Sequence, residues 1–159
     1  MPKTATPQPV PFSFDRYDDV IGFVVSRTAD GLARGLARAI ERTGLDLTPR
    51  EFAILNRLHQ HGPLNQTQLA DLTYKDKPAT SRMLDRLITN GFAKKLASKE
   101  DRRAFVVSLT PAGTAARARV VPLTVEMMQV ACKGVARRDL LTTVDVLKRM
   151  TAQLNDEAR

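Results

Sequence analysis

Apolar residues recur at helical spacing from about Phe14 to Arg42. Ile21, Val25, Leu32, Leu36 and Ile40 form one stripe, with Arg27, Arg34 and Arg38 on other faces. Gly44 suits the positive φ that closes a helix. Thr48-Pro49-Arg50-Glu51 then offers a capping hydroxyl, a proline for the first turn and a glutamate able to reach back to the cap amide. A helix is predicted there, burying Phe52, Leu55 and Leu58 and ending at Gly62-Pro63. Asn65 with Gln68 opens a short helix through Leu69, Ala70 and Leu72. Asp76-Lys77-Pro78 opens another, which carries Met83, Leu84, Leu87 and Ile88 inward and stops at Asn90-Gly91. Two short helices across a tight turn, the second polar and basic at its start, read as a helix-turn-helix.

After Gly91 the period shortens. Phe92 to Leu96 and Ala104 to Leu109 read as strands, joined by the polar, mostly charged segment Ala97 to Arg103. A hairpin with a basic tip directly behind a helix-turn-helix is a wing. Thr110-Pro111 repeats the cap-plus-proline device and begins a long helical region, apolar on several faces from Val120 to Val135 and broken near Gly134. Leu140, Val144, Leu147 and Leu154 form a stripe on its last part. Pro122 falls inside this region, where it removes a backbone donor and predicts a kink. Residues 1–11 hold four of the nine prolines and no apolar period, as an extended arm does, either disordered or laid across a partner. The fold class expected is mainly α with a small β-wing.

Charge sharpens this picture. The 159 residues carry a formal net charge of +8. The stretch Lys75 to Arg103 holds nine basic and four acidic residues, hence +5 of that total. A basic excess of this size points to polyanions, and its coincidence with helix-turn-helix and wing favours DNA over a membrane face. No apolar run approaches the roughly 20 residues of a membrane span. Met1-Pro2-Lys3-Thr4 lacks the apolar run of a signal peptide, so a reduced, cytoplasmic setting is expected. The single cysteine, Cys132, excludes an internal disulfide framework; among Val130, Ala131 and Val135 it reads as a core residue. His59 and His61, two apart near a helix end, point to different faces and do not clamp a metal; stabilising the helix C-terminus is the role expected of them. Met127 and Met128 read as packing residues, with an adaptable lining for a small apolar effector as the alternative. Without a glycine-rich phosphate loop, a serine elbow or histidines at metal spacing, no enzyme, metal or cofactor is expected.

The run Asp76-Lys77-Pro78-Ala79-Thr80-Ser81-Arg82-Met83-Leu84-Asp85-Arg86-Leu87, followed by Asn90-Gly91-Phe92, resembles the recognition helix of the MarR (multiple antibiotic resistance regulator) family of winged-helix transcription factors. Asp101-Arg102-Arg103-Ala104-Phe105-Val106-Val107-Ser108-Leu109-Thr110-Pro111-Ala112-Gly113 resembles that family's wing, second strand and helix start. The likeness extends roughly from Phe14 to Leu154, although Tyr74 and Lys75 replace a glycine and an apolar residue in the turn. It implies a winged helix-turn-helix domain over 48–112, a helical dimerisation region over 14–47 and 113–159, and a flexible arm over 1–13. It further implies a homodimer whose first and last helices intertwine, placing Ile21, Val25, Leu140, Val144, Leu147 and Leu154 at the interface. The two domains would read a pseudopalindromic promoter site in double-stranded DNA. The usual role is repression relieved by a small molecule, for which an aromatic or phenolic effector is expected. A non-specific, architectural winged-helix protein is the alternative.

Thr80, Ser81 and Arg82, at the start of the recognition helix, are the expected major-groove readers, with Lys77 beside them; an arginine can form two bonds to guanine O6 and N7. Arg82 has two further readings, a phosphate contact or an ion pair with Asp101, by which the family couples wing and helix. Arg86, one turn on, reads equally as a DNA contact and as a structural partner. Arg103 at the wing tip suits a narrow minor groove, while Lys99 and Arg102 suit phosphates. Gln66 and Thr67 can donate to a phosphate beside free helix amides.

Overall fold

Side-chain caps set most of the helix starts. The structure, a computed structural model, describes residues 14–73, 76–97 and 105–157. The elements are α1 (Ile21–Glu41), α2 (Pro49–His61), α3 (Gln66–Thr73), α4 (Lys77–Thr89), β1 (Ala93–Ala97), β2 (Phe105–Leu109), α5 (Pro111–Ala131) and α6 (Arg137–Glu157). Thr48 accepts from the Glu51 amide at 3.2 Å while Glu51 accepts from the Thr48 amide at 2.8 Å, closing the box that opens α2. Asn65 and Gln68 make the same reciprocal pair before α3. Asp76 accepts from the Ala79 amide at 2.7 Å to start α4, and Thr110 from the Gly113 amide at 3.0 Å to start α5.

The segment expected as one helix from Phe14 is instead a 3₁₀ turn, Phe14–Asp19, followed by α1. Arg16 departs from helical angles, Val20 is extended and buried, and the Tyr17 ring packs on Phe23 at 4.8 Å. The extended, buried Val20 separates the turn from α1 along the chain, while the turn folds back onto the first turn of α1.

One core joins α2, α3, α4, the hairpin and the middle of α5. Ile54, Leu55, Leu69, Leu87, Val107 and Val120 are its fully enclosed members, with Ile40 and Leu47 closing it from α1 and the loop behind it. β1 and β2 pair antiparallel from Ala93↔Leu109 to Ala97↔Phe105. Leu64, between α2 and α3, adds a third pairing: it exchanges both backbone hydrogen bonds with Val107, at 3.0 and 2.7 Å. Thr110 ties the start of α5 to the end of α4, donating its amide to the Phe92 carbonyl and its hydroxyl to the Gly91 carbonyl. Gly113 lies so close to Phe92 that a Cβ there would strike the Phe92 carbonyl. Met127 packs its thioether on buried Gly35 where α5 meets α1.

α5 runs through Pro122 as one element. Pro122 and Ala118 are both exposed, so water can satisfy the Ala118 carbonyl that the proline leaves without a partner. Cys132 is not a core residue: it is half-buried at the C-cap of α5, beside exposed Val130 and Val135, because this last turn projects past the packed part of the chain. Gly134, at φ 79°, makes the turn into α6. No described side chain of α6 is buried.

Candidate nucleic-acid interface

α4 lies with Leu84 and Leu87 in the core and its basic side chains outside. Lys77 and Arg82 are exposed, Ser81 is half-buried, and Arg82 forms no ion pair with any described residue. Thr80 corrects the groove assignment. It is fully buried, and its hydroxyl donates to the Asp76 carbonyl at 3.0 Å, so it cannot face a base edge. It falls one turn before Leu84 on the inward stripe, which makes it part of the packing that seats the helix.

Arg86 also differs from a free cation. Its Nε donates to Glu51 Oε1 at 2.7 Å and a terminal nitrogen donates to Asp46 Oδ1 at 2.9 Å. Glu51 is itself only 2% exposed. The bonds to Glu51, then those to Asp46, hold the Arg86 guanidinium above the usual arginine pKa. Asn90 donates to the Asp46 carbonyl and carboxylate at 3.0 and 3.1 Å. Gln66, expected at a phosphate, donates its amide to the Lys77 carbonyl at 3.1 Å and so joins the starts of α3 and α4; Thr67 is exposed.

Lys99, Asp101, Arg102 and Arg103, like Tyr74, Lys75 and the arm 1–13, lie outside the described residues. At the base of the hairpin, Lys95 stands 4.7 Å over the Phe105 ring and 3.8 Å from Asp85 Oδ1. It thereby links β1, β2 and α4. Sequence reasoning missed this residue. Its signal lies in the register: Lys95 opposes Val107, so Phe105 is its diagonal neighbour on the same face.

Two cavities flank these elements. A 630 Å³ cleft is lined by Ala33 of α1, by Thr48, Arg50 and Glu51, and by Ala79, Arg82, Met83 and Arg86 of α4. A 440 Å³ groove between α1 and α6 is lined mainly by apolar atoms of Ile21, Val24, Val25, Leu32, Val146 and Leu147. Of the residues expected at a dimer interface, Ile21, Leu140 and Leu147 are half-buried, while Val25, Val144 and Leu154 are exposed.

A family model described as "MarR family" matches residues 47–105, the stretch that runs from the start of α2 to the hairpin. The multiple antibiotic resistance protein MarR of Salmonella typhimurium is 35% identical over 71 residues, covering 45% of this chain and 49% of that protein. The chain belongs to the MarR family. A probable transcriptional regulator from Pseudomonas aeruginosa, known from its crystal structure, is similar over nearly its whole length: 32% identity, 85% of this chain, 99% of that one, TM-score 0.75. A mutant MarR from E. coli, crystallised with operator DNA, shares the fold at TM-score 0.75 and 24% identity, over 86% of this chain and 98% of its own. The matched segment spans about half the length of the curated MarR relative. As a MarR-family chain it is a transcriptional regulator with a winged helix, not an enzyme. No helix among the described residues is long and apolar enough to cross a membrane.

Proposed function

We propose that this regulator works as a cytoplasmic homodimer that binds a pseudopalindromic promoter site in double-stranded DNA, represses from it and is released by a small molecule. The observation that carries this reading is α4. It is a short, capped helix seated by a buried stripe, with Lys77, Ser81 and Arg82, which pairs with no described residue, at its outer N-terminal end. That end is the part of a recognition helix that meets base edges. The operator DNA bound by the E. coli MarR supports the same partner. We assign phosphate contacts to Lys99 and Arg102, a minor-groove contact to Arg103 and a wing-structuring role to Asp101. Thr67, and what donor capacity Gln66 retains, serve the backbone beside them.

Residues 48–112 make up the DNA-binding domain, and 14–47 with 113–159 the dimerisation region. On α6, Leu140 and Leu147 are only half-buried and Val144 and Leu154 are exposed, and Ile21 and Val25 of α1 lie across the groove from it. The 630 Å³ cleft, touching α1, α2 and α4 together and bearing Arg50 and Arg82, suits an aromatic or phenolic acid. A ligand there would favour one setting of α4 against the dimer helices and so change half-site spacing. Titration onto the DNA upstream of the protein's own gene, at several salt concentrations, tests the reading. Expected is a steep fall of log K with log salt and a clear preference over a random duplex. A flat salt dependence would refute DNA binding; equal affinity for all duplexes would make the protein architectural.

A further inference from the structure

α4 carries Arg82, Arg86 and Asn90 at intervals of four, hence along one face. The first is unpaired among the described residues. The other two are bolted to the α1–α2 connection and the first turn of α2. Arg86 bridges Glu51 and Asp46, and Asn90 grips Asp46 through both its carbonyl and its carboxylate. Glu51 meanwhile accepts from the Thr48 amide and hydroxyl at 2.8 and 2.9 Å, so the clamp is anchored in the same box that starts α2. Both carboxylates are repulsive to DNA. A helix meant only to attract phosphates gains nothing from them.

We propose that Arg86 is a positioning residue, and that the Asp46–Glu51–Arg86–Asn90 clamp fixes the C-terminal half of the recognition helix to the α1–α2 connection so that Arg82 is aimed at the DNA. The clamp rests on the DNA-binding function proposed above and adds to it a rigid joint between a dimerisation helix and the reading helix. Arginine is required rather than lysine. Its planar fork reaches two carboxylates at once, whereas an ammonium holds a single point.

The sign of a charge effect tests this. Removing Asp46, whose side chain is 75% exposed, takes a negative charge from a DNA-binding protein, and bare electrostatics demands tighter binding. The clamp demands the opposite. The full chain would be compared as wild type, Asp46→Ala, Arg86→Gln and Arg86→Lys on upstream and random duplexes of equal length, at several salt concentrations. Amide exchange over Arg86 to Asn90 would be followed in parallel, with a thermal melt to show that each variant is folded. Upstream-DNA affinity is expected to fall about threefold in Asp46→Ala, the loss typical of an exposed pair, and about tenfold in both Arg86 variants, neither of which can hold the two carboxylates at once. Random-duplex affinity should move no more than the changed charge dictates, the salt slope should stay as in wild type, and the last turn of α4 should exchange faster. Tighter binding by Asp46→Ala would overturn the proposal. So would recovery of wild-type affinity by Arg86→Lys together with a salt slope lowered by about one in Arg86→Gln, the mark of a phosphate contact. If wild type itself shows no preference for upstream DNA, the proposed function fails, while the exchange rates still decide whether the clamp holds α4.

Discussion

Glu51 carries its carboxylate into a site almost closed to water, where three donors meet it: the Thr48 amide, the Thr48 hydroxyl and the Arg86 guanidinium. Breaking such a pair on one side is far costlier than its net contribution, because the remaining charge is left buried. The same logic of close approach governs Gly113. There the start of α5 is pressed against the Phe92 carbonyl, and no side chain fits between them. Gly113→Ala is therefore expected to lower stability by about 1–3 kcal/mol, the usual cost of overpacking. The midpoint of a urea transition measures it, and an unchanged midpoint would mean that α5 yields without cost.

At the scale of elements, α6 is the informative piece. A 21-residue helix with an apolar stripe and no described side chain buried in its own chain needs a partner to hide that stripe. Val144 is 49% exposed, so Val144→Glu should leave the single chain folded. In a dimer sealed by α6 it buries a charge, which costs several kcal/mol, and a weakening of the dimer on the order of 100-fold is expected. Sedimentation equilibrium reads this directly; a variant that stays dimeric at micromolar concentration would place the interface elsewhere.

The start signals of α2 to α5 were legible in the sequence because caps are local: the pairs Thr48 with Glu51 and Asn65 with Gln68, and the Asp76 and Thr110 caps, are bonded as their spacing predicts. What escaped was non-local or a matter of helical phase. Leu64 pairs with Val107 across more than forty positions, and Lys95 meets Phe105 only once the hairpin register is known. Thr80 looked like a groove residue because it is polar and near a helix start. Extending the Leu84 and Leu87 stripe back by one turn places it inside.

At the scale of the molecule, charge and fold divide the work. The stretch Lys75 to Arg103 holds +5 of the net +8, and the described part of it is α4 and β1, the elements that a winged helix turns toward DNA. The long helices α1, α5 and α6 carry most of the exposed large apolar side chains, from Val24 and Val25 to Leu154. A dimer built on those helices sets two copies of α4 a fixed distance apart. Its half-sites should then lie about one helical turn, roughly 10 base pairs, from centre to centre. A hydroxyl-radical footprint on the DNA upstream of the gene tests this most directly. Two protected tracts about one turn apart, symmetric about a pseudopalindrome and both lost in Arg82→Ala, are the predicted result. A single tract, uniform protection, or a footprint indifferent to Arg82 would contradict a dimer that reads sequence through α4.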